Sequence, residues 1–223
     1  MSLAIASLSL DLDNKWAYLR AAGRSDWMDR PGYLPLAVDR IVDVLGELQL
    51  PLTVFLVGRD LVESCDCEAI CSFDRLPRWE PANHSLNHLP WMHTMDPPEV
   101  ADEIELTGQR IVDVVGRRPL GFRGPGFSCP EEVLRVLVAN KYLYDASVFP
   151  TSIAPLARAV FMLKAGLNGP QRQQVKLLYG GFCSMRPPNR PFVRRVDRAS
   201  SWEVPVSVMP VIRTPIHLSY FLY

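Results

Sequence analysis

No apolar run in this 223-residue sequence approaches the roughly 18–20 residues that span a bilayer, so the sequence contains no transmembrane helix signal. Neither sign of charge is in excess, because 24 Lys plus Arg balance 24 Asp plus Glu. That balance removes the global basic character of a nucleic-acid or membrane-surface binder, while leaving room for a local patch. Cysteine is sparse and irregular: Cys65, Cys67, Cys71, Cys129 and Cys183 form an odd set without a disulfide framework, which suits a reducing compartment. Cys65, Cys67 and Cys71 lack a fourth ligand at zinc-site spacing and read as ordinary residues opening a helix. Met1 to Leu10 lacks the basic flank and long apolar stretch of a signal peptide, so a cytoplasmic location is expected. Internal repeats and low-complexity tracts are absent too.

What is present is ordinary globular material, 48% hydrophobic and 22% charged, enough for one large domain over residues 1–223. Short apolar runs alternate with helical patterns. Ala4 to Leu10 reads as a strand ending in Asp11, and Leu52 to Val57 as a buried strand closed by Gly58. Leu36 to Leu48 carries apolar residues at helical spacing. Pro98 to Val115 is the clearest helix, with Asp96 as its cap and Gly116 as its stop. Leu120 to Phe122 and Tyr142 to Tyr144 read as short strands, Pro130 to Asn140 as a helix capped by Ser128, and Trp202 to Val208 as a late strand. Strand and helix in alternation predict an α/β fold with a parallel sheet, and some seven repeats favour a barrel. Lys15 to Tyr33 reads as a long loop lining a substrate cleft, and Gly180 to Asp197 as an irregular rim or connection.

Four short segments hold residues able to do chemistry. Asp11 and Asp13 lie at the end of the first strand, where i and i+2 side chains point the same way; the plain alternative is a turn. His84 and His88 are two of only four histidines. Their spacing puts both rings on one helical face, as two ligands of one metal or as two solvent-facing side chains. With a carboxylate from elsewhere, they make a set that leaves metal positions open to water. Arg123 sits in Gly-Phe-Arg-Gly-Pro-Gly-Phe-Ser, where a guanidinium can fix a carboxylate and glycines let backbone approach a ligand. Asp145 and Ser147, in Tyr-Asp-Ala-Ser-Val-Phe-Pro, are either site residues or a turn before Pro150.

Taken in order, these segments resemble the polysaccharide deacetylase family, the NodB-homology domains of carbohydrate esterase family four. Asp-x-Asp stands near the start, His-Ser-x-x-His some seventy residues on, then Arg-x-Pro and Asp-x-Ser-x-x-Pro. The opening Asp-Leu-Asp-Asn-Lys-Trp is similar to a cytoplasmic bacterial branch. The resemblance implies a distorted barrel of seven or eight β/α repeats and a divalent metal, usually zinc, on Asp13, His84 and His88. It implies Asp11 as general base with Arg123 as its partner, and the backbone N–H near Gly126 as an oxyanion donor. Trp27 and Asp145 join Gly126 as residues expected near the substrate. The sequence departs from the family pattern in two places. Leu12 separates aspartates that are normally adjacent, and His217 is the only late histidine. The expectation is a domain lacking its C-terminal elements.

Three readings follow. The first is a metal-dependent hydrolase deacetylating an N-acetylated carbohydrate. The second is an allantoinase-like hydrolase of a cyclic amide. The third is a metal-binding pseudoenzyme or interaction module lacking the late catalytic histidine. The expected partner is a small-molecule or oligosaccharide substrate, with no nucleic acid and no membrane, and an oligomer is compatible.

Overall fold

The computed structural model describes residues 7–21, 23–29, 31–90, 92–152, 188–214 and 216. Two compact units divide the chain: Met1–His88 with Asp102–Gly121, and Leu89–Ala101 with Phe122–Tyr223.

In the first unit, β1 (Ser9–Leu12), β2 (Leu52–Leu56) and β3 (Trp79–Asn83) pair side by side and parallel. This is the α/β arrangement expected from the alternating pattern. Burial in β2 is almost continuous, as a strand covered on both faces requires. Helices α2 (Leu34–Glu47) and α3 (Ser64–Cys71) follow β1 and β2 in the chain. The apolar residues of α2 recur so that Leu34, Val38 and Val42 bury together. They pack with Leu12, Val54, Leu56, Ile70, Phe73 and Trp79 into one core. Each such side chain contributes roughly 1.5–3 kcal/mol on burial. Helix α4 (Pro97–Val115) begins directly after Asp96, as expected, and the Asp96 N–H donates to the Glu99 carboxylate at 3.0 Å, the reciprocal bond of a capping box. Gly116, at φ 72°, ends α4 in the left-handed conformation that glycine adopts freely.

In the second unit, β5 (Tyr144–Asp145) lies parallel to β7 (Ala199–Glu203), and β6 (Phe192–Val196) is antiparallel to β7. The Ala146 N–H donates at 2.8 Å to Phe122, the last residue of β4 (Gly121–Phe122). Helix α5 (Glu131–Ala139) buries Val133, Leu134 and Leu137. Pro130, rather than Ser128, occupies its N-cap position, and no side chain caps it.

Two sequence expectations are corrected. The segment Lys15 to Tyr33 is not all loop, because Lys15–Ala21 forms α1. Its start signal is Asn14, whose side chain accepts the Lys15 N–H at 2.8 Å. The segment Gly180 to Asp197 was expected to be irregular, yet Phe192–Val196 is β6. Its arginines disguise a strand because Arg194 is neutralised by buried carboxylates, described below. Cys65, Cys67, Cys71 and Cys129 are free, the first three lying on α3 as expected. Cys183 and His217 lie outside the described residues. Among the described residues, no helix is long and apolar enough to cross a membrane.

Candidate metal centre

The register of β1, β2 and β3 brings the chemistry together. Leu12 of β1 sits opposite Leu56 of β2, and Leu56 opposite Asn83 of β3. Three parallel strands therefore end level, and the next residues of β1 and β3, Asp13 and His84, leave at the same edge. The His84 N–H continues the ladder by donating to the Leu56 carbonyl at 2.9 Å.

His88 reaches the same place by a tight loop, not by the helical face expected from its spacing. Ser85 and His88 both have left-handed backbone, φ 65° and 51°. Asn83 starts the turn by accepting the Ser85 N–H on its side chain at 2.8 Å, an Asx turn that competes with helix. The two imidazoles meet edge to face with centroids 5.1 Å apart. His84 Nε2 lies 3.4 Å and His88 Nε2 3.1 Å from the same oxygen, Asp13 Oδ1.

One ligand atom from each of Asp13, His84 and His88 falls within 4.8 Å of the others. Asp13 Oδ1 is buried and has no hydrogen-bond partner of good geometry, although two ring nitrogens converge on it. A buried oxygen in that state is costly unless a cation satisfies it. Burial alone would raise the Asp13 carboxyl, but contacts with His84 and His88 and their charge hold it well below the usual carboxylate range. An ionised carboxylate is the form a metal ligand must take. Two imidazoles and one carboxylate fit a divalent cation such as zinc.

Sequence reasoning missed the groups that fix this triad. Glu103 of α4 is buried and accepts the Leu86 and Asn87 N–H groups at 2.9 Å each and the Asn87 side-chain amide at 2.6 Å. It thereby clamps the loop between the two histidines. Asn83 is tied to the same helix through the Ile104 carbonyl at 2.8 Å. Tyr18 donates its hydroxyl to Asp13 Oδ2 at 3.1 Å, and Tyr33 donates to the Asp13 carbonyl. The buried Asp60 accepts from Trp16 Nε1 at 2.6 Å and Asn14 Nδ2 at 3.1 Å. Burial pushes its carboxyl up to about 6.

Asp11 lies within β1, paired with Phe55, two residues before Asp13 and half-buried. Leu12 between them turns into the core, so the two aspartates leave the same face of the strand. Trp27 belongs to the first unit, with its ring 5.8 Å from that of Trp16.

Arg123, Gly126 and Asp145 belong to the second unit. Arg123 is buried and donates Nε to the Ala146 carbonyl at 3.0 Å. Gly126 has φ 62°, inside a short turn over Pro125–Phe127. The Gly124 N–H donates to Ser147 Oγ at 2.8 Å, and Ser147 donates in turn to Asp145. Asp145 is fully buried, and its other oxygen pairs with Arg194 at 3.0 Å. That guanidinium also meets the buried Glu203 at 3.3 Å. One positive charge cannot satisfy two buried carboxylates. Burial, followed by the Asp145 charge, pushes the Glu203 carboxyl up to about 9.

The family profile described as polysaccharide deacetylase matches residues 29–144, just over half of the chain. No curated protein matches. A Mycobacterium smegmatis protein, provisionally described as a polysaccharide deacetylase, is similar in fold with a TM-score of 0.63 at 21% identity. The match covers 90% of this chain and 58% of that one, so this chain spans less than two thirds of that relative's length. A family 4 carbohydrate esterase from Streptomyces lividans, in complex with acetate, aligns at 18% identity and TM-score 0.49 over 74% of this chain and 73% of that one. A pseudoenzyme of the same esterase family from Bacillus anthracis aligns at 18% identity and TM-score 0.48 over 71% of this chain and 50% of that one. On the profile match, and with its motif residues laid out along an α/β fold with a parallel sheet, the chain belongs to the polysaccharide deacetylase family.

Proposed function

We propose that this chain is a metal-dependent hydrolase of a non-peptide C–N bond that removes the acetyl group from an N-acetylated carbohydrate. The observation that carries the reading is the convergence of Asp13, His84 and His88 within 4.8 Å around a buried carboxylate oxygen that no hydrogen bond of good geometry satisfies. Zinc, or another divalent cation, is the proposed cofactor. When bound, it supplies Lewis acidity toward an amide carbonyl and toward water.

The chain's own residues do the rest. Asp13, His84 and His88 hold the cation, with Glu103 and Tyr18 fixing the ligands from behind. Asp11, on the same face of β1 as Asp13, is assigned the proton taken from the attacking water. Arg123 and the backbone N–H near Gly126 keep the catalytic and oxyanion roles that the family resemblance implies.

The test is acetate release from N-acetylated sugars, measured with and without a chelator and beside metal content by elemental analysis. Acetate production that stops on chelation and returns with zinc is expected. A ring-opened acid from a cyclic amide, with no acetate, would replace the reading by its allantoinase-like alternative. Full zinc occupancy with neither product would make the chain a metal-binding module.

A further inference from the structure

Beside the metal centre stands a cluster that catalysis of amide hydrolysis does not require. Trp16 and Trp27 pack at 5.8 Å, tilted by 45°. The Arg59 guanidinium lies over both rings, 4.9 Å from Trp27 and 5.4 Å from Trp16. The Arg20 guanidinium also lies over Trp27, at 5.3 Å. Its NH1 donates to the Asn87 carbonyl at 3.2 Å, one residue before the ligand His88. Arg59 directly follows Gly58 at the carboxyl end of β2, the strand between those that deliver Asp13 and His84.

The stack is rigid where it needs to be. Trp16 is locked by its Nε1 bond to Asp60 and is almost fully buried. A guanidinium lying on aromatic faces keeps its in-plane N–H donors free. Arg59 is exposed, and among the described residues neither Arg59 nor Arg20 is paired with a carboxylate. The two positive charges are close enough to disfavour each other: burial first, then Arg59, lowers the proton affinity of Arg20, against the smaller opposing pull of the Glu103 carboxylate. An oxyanion held by their edges would relieve that repulsion.

We propose that Arg59 and Arg20, mounted on Trp16 and Trp27, form a subsite for an anionic oxygen-rich group, a carboxylate or a phosphate, on the amide substrate. The inference rests on the hydrolase reading for the word substrate, but the binding it describes does not depend on turnover. It narrows the substrate class from N-acetylated carbohydrates in general to acidic ones.

The test is calorimetric titration of the full chain with three probes: N-acetylglucosamine, N-acetylmuramic acid and N-acetylglucosamine 6-phosphate. At least one anionic probe is expected to bind about tenfold or more tightly than the neutral sugar, as charge-assisted bidentate contacts allow. Which of the two gains more separates carboxylate from phosphate. The advantage should shrink in high salt, disappear in Arg59→Gln and survive only in part in Arg59→Lys, which keeps charge but loses the planar fork. Repeating the titration with His84→Ala, His88→Ala separates this subsite from the metal. Preference retained there supports the proposal even if the chain proves catalytically inactive. Preference lost there, equal binding of all three probes to the unaltered chain, or an undiminished preference in Arg59→Gln overturns it.

Discussion

The Glu103 carboxylate receives the backbone N–H groups of both Leu86 and Asn87 at 2.9 Å, so one buried side chain holds the loop that carries two candidate ligands. A loop with left-handed residues at Ser85 and His88 is not the intrinsic preference of either residue, and it persists because Glu103 over-determines it. Glu103→Ala is expected to leave α4 helical and to weaken zinc binding by about tenfold, the lower end for loss of a supporting partner. Glu103→Gln, which keeps one acceptor oxygen, should fall between. Zinc titration beside far-ultraviolet circular dichroism measures both, and an unchanged affinity in Glu103→Ala would remove Glu103 from the site.

Glu103 also marks the limit of what the sequence discloses. Asp13, His84 and His88 were legible because ligand chemistry needs particular residue types in a short pattern. The backbone that assembles them was not. A spacing of four suggests a helix, whereas Asn83 at the end of β3 redirects the chain into a turn through its own side chain. Glu103 lies 16–17 residues from its partners, in a helix whose other acids look solvated. A buried carboxylate on such a helix has no signature until the loop it serves is known. The same reason hid β6: Arg194 reads as a loop residue until Asp145 and Glu203 are placed around it. Pattern reveals periodic elements and motifs, but charge compensation between distant segments is a property of the fold.

Gly124, in the Arg-Gly-Pro-Gly segment, has no room for a side chain. A Cβ there would lie 1.7 Å from the Ser128 carbonyl oxygen, which is backbone and cannot swing aside. Gly124→Ala should therefore destabilise the protein by at least the ~1–3 kcal/mol typical of overpacking. Urea unfolding gives the answer, and a midpoint equal to that of the unaltered chain would show that the turn has slack.

The Glu203 carboxyl, pushed up to about 9 by burial and the Asp145 charge, links stability to pH. Its folded pKa exceeds the ordinary 4.5, so the folded state binds this proton more tightly than the unfolded chain does. The contribution is fully present below about 4.5 and is lost as pH rises through about 9. Glu203→Gln keeps the shape and removes the titration, so its stability should decline less than that of the unaltered chain between those limits. Thermal melts across that range decide the point. Parallel declines in the two proteins would assign the pH dependence elsewhere.

Asp11 and Asp13 leave the same face of β1, yet the geometry asks different things of them. Asp13 is met by both imidazoles, at 3.1 and 3.4 Å, and its carboxyl is held well below the usual carboxylate range despite burial. Asp11 is one strand step further back and contributes no atom to the converging set. A ligand must hold the cation, so removing its charge should lower metal content and rate together. A base is needed only for the proton, and its loss should cost roughly 10²–10⁴-fold in rate while the cation stays. Asp13→Asn is therefore expected to lose zinc and turnover, and Asp11→Asn to keep zinc and lose turnover. Zinc content and acetate release, measured on each variant under the same conditions, test the division. If Asp11→Asn loses the metal while Asp13→Asn retains it, the roles are exchanged. The intervening Leu12 will then have moved the ligand to the earlier position of the motif.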